Sequence, residues 1–566
     1  MTRRDLSTPD SDNVTVEFSK EGKYEMSLRI KHTVSAVAFL LLVVFVIGWI
    51  QNVVTPKYDW PVHNRRSFKS IRSVFLEPRN SLDAIFLGTS QTFCSISPMD
   101  IYDASHIRSY NLASIGQRVP VAYYLLMSIL HRQTPKLVVI DASGFFYTEE
   151  ELLVPGKWEE MIDSLPLSCY REKLDMMRDI ARMQNREDDK EYLLSALIPL
   201  LRYHSDYFVE EDSFQRLYMN QPYQRKGYVA MYDFIAVDKE EVKTARAMLD
   251  ESDTFADDDD NREVLEGCIA ANEPYLEKMR DLCLAHGTEL AFMKVPVCAN
   301  TRARGYWSAN KHALTQAMAD RLGVKFLDMC YEDLGLDWQF DAFDGGIHVN
   351  HRGARKITGR LLDWIQQEFG LSSEANAKVD AQWDHQSDIY ASEVEYLDLE
   401  LEHDLLGFLD RVKKGDFTLF TTVSGGAGKY WSDEAQRSLE SVSGTKLDLR
   451  DSDNRAYIGI SSKGSIIEEL HDPKSCSTEG RLSDGLQYKV ASKTGNAKKG
   501  GTVDIWGTDY APEGQGIHFV VYDNHLGCVV DAVCFDTSTK QLKAVQETRY
   551  QYVMRQKLIE YVHGRM

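Results

Sequence analysis

The chain has 566 residues, with 65 Lys+Arg against 86 Asp+Glu for a formal net charge of −21, and 43% of it is hydrophobic. At roughly 100–200 residues per domain this length predicts two to four domains, and the apolar content excludes a disordered or fibrous chain. The acidic balance argues against phosphate-backbone binding, so no nucleic-acid partner is expected, and it names no other partner by itself.

Residues 1–32 carry no apolar periodicity and are expected to form a short, mostly unstructured tail. From Val34 to Ile50 the chain reads VSAVAFLLLVVFVIGWI without a charge, and Val53-Val54 prolong it, which predicts one transmembrane helix over residues 33–54. At about 1.5 Å per residue the run approaches the ~30 Å of a bilayer core, and Trp49 stands where an interfacial aromatic would. Both flanks are polar, which argues against a buried core helix. The run also starts too late, and is too long, for the apolar stretch of a cleaved signal peptide. Lys20, Lys23, Arg29 and Lys31 precede it while Lys57, Arg65, Arg66 and Lys69 follow, so charge counting sets no orientation.

After a juxtamembrane stretch (55–79), four apolar runs read as strands: LDAIFLGTSQT (82–92), LVVIDASG (137–144), TELAFMKVPV (288–297) and VKFLDMC (324–330). Helical patterns separate them, so residues 80–372 are expected to form an α/β domain with a parallel sheet covered on both faces. Ligand chemistry in such folds lies at the carboxyl ends of the strands. Residues 150–265 read as a helical insertion, and the acidic run Asp250–Asp260 lacks the Gly turn of a calcium loop. Residues 373–398 are polar and read as a linker. The remainder, 399–566, is rich in glycine and short strands, with a hairpin expected at 518–536 through Asp523-Asn524-His525-Leu526-Gly527. The nine cysteines are scattered without zinc-ligand spacing and set no compartment, leaving one or two disulfides open.

Ser90 lies in the turn after the first strand. It can cap the following helix, or it can point its hydroxyl into the crevice beside helix N–H groups suited to an oxyanion. A nucleophile there needs a histidine oriented by a carboxylate. Asp344 and His348 are four apart, which suits one face of a helical turn; Gly345 and Gly346 between them suit a tight loop equally. His348 and His351 might suggest a metal pair, but no third ligand lies at a usual spacing, and neither metal nor cofactor is expected. Lys294, ending the third run, either lines the crevice and contacts substrate or snorkels to the surface.

Taken together, Gly88-Thr89-Ser90, the stretch Asn111 to Gly116, and Asp344/His348 followed by Asn350 and Gly353 resemble the SGNH/GDSL hydrolase superfamily over residues 80–370. The resemblance implies a flavodoxin-like three-layer domain. It makes Ser90 the nucleophile, His348 the base and Asp344 its orienting carboxylate, with an oxyanion site from the Ser90 and Gly116 N–H groups and Asn111 at the substrate. Two departures stand out. The family's Gly-x-Asn-Asp block is replaced by DASGFF after the second strand, and Asp and His are four rather than three apart. Both resemble the membrane-tethered branch of teichoic-acid D-alanylation and alginate O-acetyltransferase-like proteins.

SGGAGK (424–429) is no P-loop, because Val423 and Tyr430 stand where Gly and Ser/Thr are needed. Instead, residues 405–444, 488–507 and 514–537 resemble the ILEI (interleukin-like EMT inducer, PANDER-like) domain, with its halves in swapped order. This implies a smaller, strand-rich α+β domain with glycan-binding relatives, in which Trp431, Trp506 and Tyr510 either stack on sugars or pack in the core. The combined resemblance implies a bacterial single-pass membrane protein with its large C-terminal region outside the cell. It would be a serine esterase or O-acyltransferase acting on a cell-surface glycan or acylated cell-wall polymer, beside other envelope-biosynthesis membrane proteins. A non-catalytic glycan-binding or assembly accessory is the alternative. An enzyme of lipid metabolism on the cytosolic face is the third.

Overall fold

The computed structural model describes residues 20–54, 66–152, 155–198, 201–202, 225–231, 240, 243, 262–299, 306–424, 428–446, 448–452, 455–494, 501–537 and 543–546. The N-terminal part of the expected tail (1–19), the acidic run 250–260 and Gly425-Gly426-Ala427 of SGGAGK lie outside them. One compact unit comprises Met1–Tyr58 with Arg186–Asn220, and the other Asp59–Asn185 with Gln221–Met566.

In the first unit, helix α1 runs from Lys20 to Val54. Its stretch Arg29–Ile50, 22 residues, is long and apolar enough to cross a membrane by length and composition. Phe39, Leu40, Phe45 and Trp49 are all exposed, so its apolar side chains face outward all round. The expected tail is corrected here: the helix begins at Lys20, not at 33. Once the apolar run has nucleated a helix, each further residue adds a hydrogen bond at little cost, and KYEMSLRIK contains no breaker.

The second unit contains a five-stranded parallel sheet: β1 (Ala84–Leu87), β2 (Ser109–Asn111), β3 (Leu137–Asp141), β4 (Glu289–Lys294) and β5 (Lys325–Asp328), in the order β2-β1-β3-β4-β5. β1, β2 and β3 are buried throughout, as strands covered on both faces must be. Four are the expected strands; β2, with only Ser-Tyr-Asn, is too short and too polar to announce itself. Helices α2 (Arg66–Val74), α3 (Ser90–Ser95), α4 (Pro98–Ser105) and α5 (Val119–Leu130) follow one another around it. Two packing groups form. α5 meets α6 (Arg262–Ala285), which meets α7 (Ala309–Leu322), while α8 (His351–Phe369) packs on α3 and α4.

The expected linker is a 24-residue helix, α9 (Ala377–Glu400). Its polar composition hides a stripe of Val379, Trp383, Tyr390, Glu393, Leu397 and Glu400, all buried and spaced three or four apart or by two such steps. Trp383 packs on Tyr102 of α4, with ring centroids 5.0 Å apart, and Tyr390 Oη lies 2.9 Å from Ser97 Oγ. Farther along, Tyr396 donates to Asp523 in the C-terminal region at 2.7 Å, so α9 joins the two halves of this unit.

That region opens with α10 (Leu405–Lys414), β6 (Phe417–Val423) and α11 (Asp433–Ser443). β6 sits inside a six-stranded sheet with β7 (Ala456–Ser462), β8 (Ser465–Asp472), β13 (Ile517–Asp523), β14 (Cys528–Asp536) and β15 (Lys543–Gln546). β9 (Ser475–Arg481), β10 (Gln487–Lys493), β11 (Gly501–Ile505) and β12 (Thr508–Asp509) form a second sheet. Alternation divides the core: Leu419, Phe519 and Val521 pack with Phe408 and Leu439 of the two helices. Phe420 and Val520 pack with Tyr488, Val490 and Val503 of the second sheet. The expected hairpin is β13–β14, closed from Asp523 to Cys528. No disulfide joins the nine cysteines, all of which are described.

Candidate active site

Ser90 owes its position to Gly88. At φ +151° the chain turns sharply out of β1, and a Cβ there would lie 2.2 Å from Thr92 Oγ1 and 2.7 Å from Asp141 Cβ. The Gly88 N–H donates to Gln117 Oε1 (2.9 Å), while Gln117 Nε2 donates to Leu112 O (2.9 Å) and Ser114 Oγ (3.3 Å). One buried amide therefore ties the serine turn to the loop that carries Gly116. The cap of α3 is Thr89, whose hydroxyl accepts from Gln91 N–H, so Ser90 is released from capping.

The histidine comes from a tight loop, which decides between the two geometries left open by the spacing. Ala342 bridges Val349 in antiparallel fashion, Phe343 N–H donates to His348 O (3.0 Å), and Gly345 and Gly346 take φ of +76° and +93°. Asn350 ends the loop by capping α8, its oxygen accepting from Arg352 and Gly353 N–H and its Nδ2 donating to Phe340 O at 2.6 Å. Gly353 lets the loop lie flat on the helix; a Cβ there would meet Asp341 O at 2.9 Å.

These two loops bring Ser90, His348 and Asp344 into one chain of hydrogen bonds. His348 Nε2 lies 2.8 Å from Ser90 Oγ, and Nδ1 lies 2.5 Å from Asp344 Oδ2. Asp344 Oδ1 also accepts the His348 N–H at 2.8 Å. With Nδ1–H donated to the carboxylate, Nε2 is left as the acceptor for the serine proton. Burial alone would raise the Asp344 carboxyl. The hydrogen bond and charge of His348, with the N–H groups of His348 and Ile347, overcome it and hold the carboxyl below the ordinary carboxylate value. The His348 and Asp344 side chains keep 19% and 31% of their exposure, so a substrate can reach them.

Gly116 has φ +56°, and its carbonyl is held by Arg118 Nη1 at 2.8 Å. Arg118 is itself fixed by Glu151 O (3.0 Å) and by the Tyr147 ring, 3.4 Å away. Neither the Ser90 nor the Gly116 N–H has a hydrogen-bond partner among the described residues, leaving both donors available.

Other expected site residues are placed differently. Asn111 is fully buried, with Nδ2 donating to Ile96 O (2.6 Å) and its N–H to Lys226 O (2.8 Å). It pins the segment 225–231 rather than facing a substrate. Lys294 is 1% exposed, so it neither snorkels nor contacts a ligand directly; Nζ donates to Gln91 Oε1 (2.7 Å) and Val295 O (2.8 Å). Trp431 belongs to the core, buried in the cluster that holds Phe408 and Leu439, with its Nε1 donating to Gln436 Oε1 at 2.9 Å. Tyr510 is half-buried against the second core, and only Trp506, 79% exposed, stands out in solvent. His351 faces away from His348: it is buried, with Nδ1 3.0 Å from Tyr228 Oη, and burial pushes its pKa down to about 3. Sequence reasoning missed Gln91 and Gln117. Both directly follow a flagged residue, Ser90 and Gly116, and adjacency was the one available signal.

No family model matches the chain, and no curated protein matches it.

Proposed function

We propose that this chain is a serine esterase or O-acyltransferase of the SGNH type. Ser90 Oγ would attack an acyl carbonyl while its proton passes to His348 Nε2, with Asp344 holding the imidazole in the required tautomer. The Ser90 and Gly116 N–H groups would receive the oxyanion. The observation that carries this reading is the unbroken chain Asp344–His348–Ser90, with both outer contacts at hydrogen-bond distance. The strand order β2-β1-β3-β4-β5, with Ser90 directly after β1, supports a flavodoxin-like domain. With the helix Arg29–Ile50 as a membrane anchor and the rest outside the cell, the acyl-bearing substrate would be a cell-surface glycan or cell-wall polymer.

Incubating the detergent-solubilised chain with p-nitrophenyl acetate tests this. Burst release of nitrophenol with an acetyl adduct on Ser90 by mass spectrometry is expected. Hydrolysis that survives Ser90→Ala contradicts it.

A second reading, glycan binding through an ILEI-like C-terminal region, is favoured by Trp506. This large aromatic sits in a two-residue turn at φ +51° with Gly507 at +87°, between the paired Ile505 and Thr508. A bulky side chain in that backbone region is uncommon and costs strain, which an exposed core-type residue does not repay by packing.

A further inference from the structure

The site lacks an asparagine donor after β3, where the chain instead runs Asp141-Ala142-Ser143. Gln91 stands beside that gap. It follows Ser90 in the first turn of α3 and is only 7% exposed. Its side-chain oxygen accepts from Lys294 Nζ (2.7 Å), at the end of β4, and lies 2.7 Å from Ser143 Oγ, just past the end of β3, whose single proton it shares with Asp141 Oδ1 at 2.6 Å. Gln91 therefore reaches across the carboxyl edge of the sheet, where chemistry in such folds is done.

The orientation of this amide follows from chemistry. A lysine ammonium has three donors and no acceptor, so the atom facing Lys294 must be the carbonyl oxygen. Lys294 is buried, is held in place by Val295 O at 2.8 Å and lies 5.4 Å from the Trp307 ring centroid; it pairs with no carboxylate among the described residues. With the oxygen fixed by Lys294, Nε2 is the free end, and it has no partner among the described residues. That end keeps contact with solvent, so an acceptor arriving during the reaction can take its hydrogen bond in place of water.

We propose that the Gln91 side-chain amide is the third oxyanion donor, standing in for the missing asparagine, and that Lys294 is the positioning residue that turns it toward the reacting carbonyl. This rests on the serine-acyltransfer reading. As the Ser90 Oγ–C bond forms, the carbonyl π pair moves onto oxygen and the serine proton moves to His348 Nε2. Gln91 Nε2–H, with the Ser90 and Gly116 N–H groups, meets that oxygen. On collapse of the intermediate the leaving alcohol takes the proton from His348.

The test uses the full chain in detergent, with p-nitrophenyl acetate as the probe. Gln91→Met keeps the side-chain length and removes the donor, so kcat should fall by about 10²–10³ with KM within about twofold. Gln91→Glu also removes the donor while giving Lys294 a stronger partner, and should show a similar loss with undiminished thermal stability; it decides the matter if the Met variant fails to fold. Lys294→Met should lower kcat by about tenfold or more on its own. It should add nothing in the Gln91→Met background, because a positioning residue acts only through the group it positions. Retention of kcat by both Gln91 variants, or additive losses in the double variant, overturns the proposal. A wild type that does not turn over, or a Ser90→Ala variant that does, overturns the parent reading as well.

Discussion

Ser90 and His348 are separated by 258 positions in the chain, yet Oγ and Nε2 lie 2.8 Å apart. Two short loops hold that contact, each bent by glycine and locked by a side-chain amide: Gly88 with Gln117, and Gly345-Gly346 with Asn350. His348 in turn depends on Asp344. In Asp344→Asn the partner of Nδ1 can donate instead of accept, favouring the wrong tautomer, so kcat should fall by about 10⁴ with the fold intact. Steady-state kinetics beside circular dichroism checks this.

Gly88→Ala should damage both fold and site. The new methyl would overlap Thr92 Oγ1 at 2.2 Å, and neither Thr92 nor Asp141 is at the end of a flexible side chain. A loss of roughly 2–4 kcal/mol in stability, read by urea unfolding, is expected together with loss of hydrolysis. Gly345→Ala meets nothing within 4 Å and should cost only the strain of its φ.

Two buried groups give stability opposite pH slopes. Burial pushes the Asp531 carboxyl up to about 7, against the pull of the Ala532 N–H, and its Oδ2 has no partner among the described residues. A raised folded pKa gives a contribution fully present below the unfolded value near 4 and lost as pH rises through about 7. His351, pushed down to about 3, does the reverse: its contribution is complete above about 6.5 and is lost as pH falls toward 3. Asp531→Asn should therefore raise the melting temperature at pH 8 more than at pH 5. Equal shifts at the two pH values would contradict the assignment.

Segment 225–231 makes two ion pairs, Arg225 with Glu393 and Lys226 with Glu77, and should depend on the more buried second one. Lys226, 2% exposed, donates to Glu77 at 2.7 Å and lies 4.2 Å from the Trp383 ring centroid. Glu77→Gln leaves the cation buried beside a neutral amide, and a loss of about 3–5 kcal/mol is expected by denaturant unfolding.

Trp506→Ala should leave stability within about 0.5 kcal/mol, since the ring touches little. If the C-terminal region binds glycans, the same change should abolish retention on immobilised polysaccharide, and unchanged retention would remove Trp506 from that role.

The α/β region was legible because buried parallel strands are continuous apolar runs between helices, which β1, β3 and β4 obey; β5, at the sheet edge, buries only Leu327, and β2 disobeys because its three residues owe burial to Tyr110 alone among apolar side chains. The helix α9 was illegible as structure because its exposed face is so polar that Trp383 and Tyr390 were diluted in the composition. Ser90, Asp344 and His348 could be named from motif chemistry, whereas the roles of Gln91 and Lys294 depend on where β3 and β4 end beside α3, which no local pattern encodes. Asn111 misled for a related reason, and Trp431 stayed open between core and sugar contact. Aromatic and amide side chains serve cores and sites alike, and only burial separates the two uses.

The central claim is that Ser90 is an activated nucleophile, and labelling with a fluorophosphonate probe measures that most directly. The full chain should be labelled at Ser90, and Ser90→Ala and His348→Ala should both lose the label while remaining folded. A folded wild type that stays unlabelled, or a label that survives in Ser90→Ala, would contradict it.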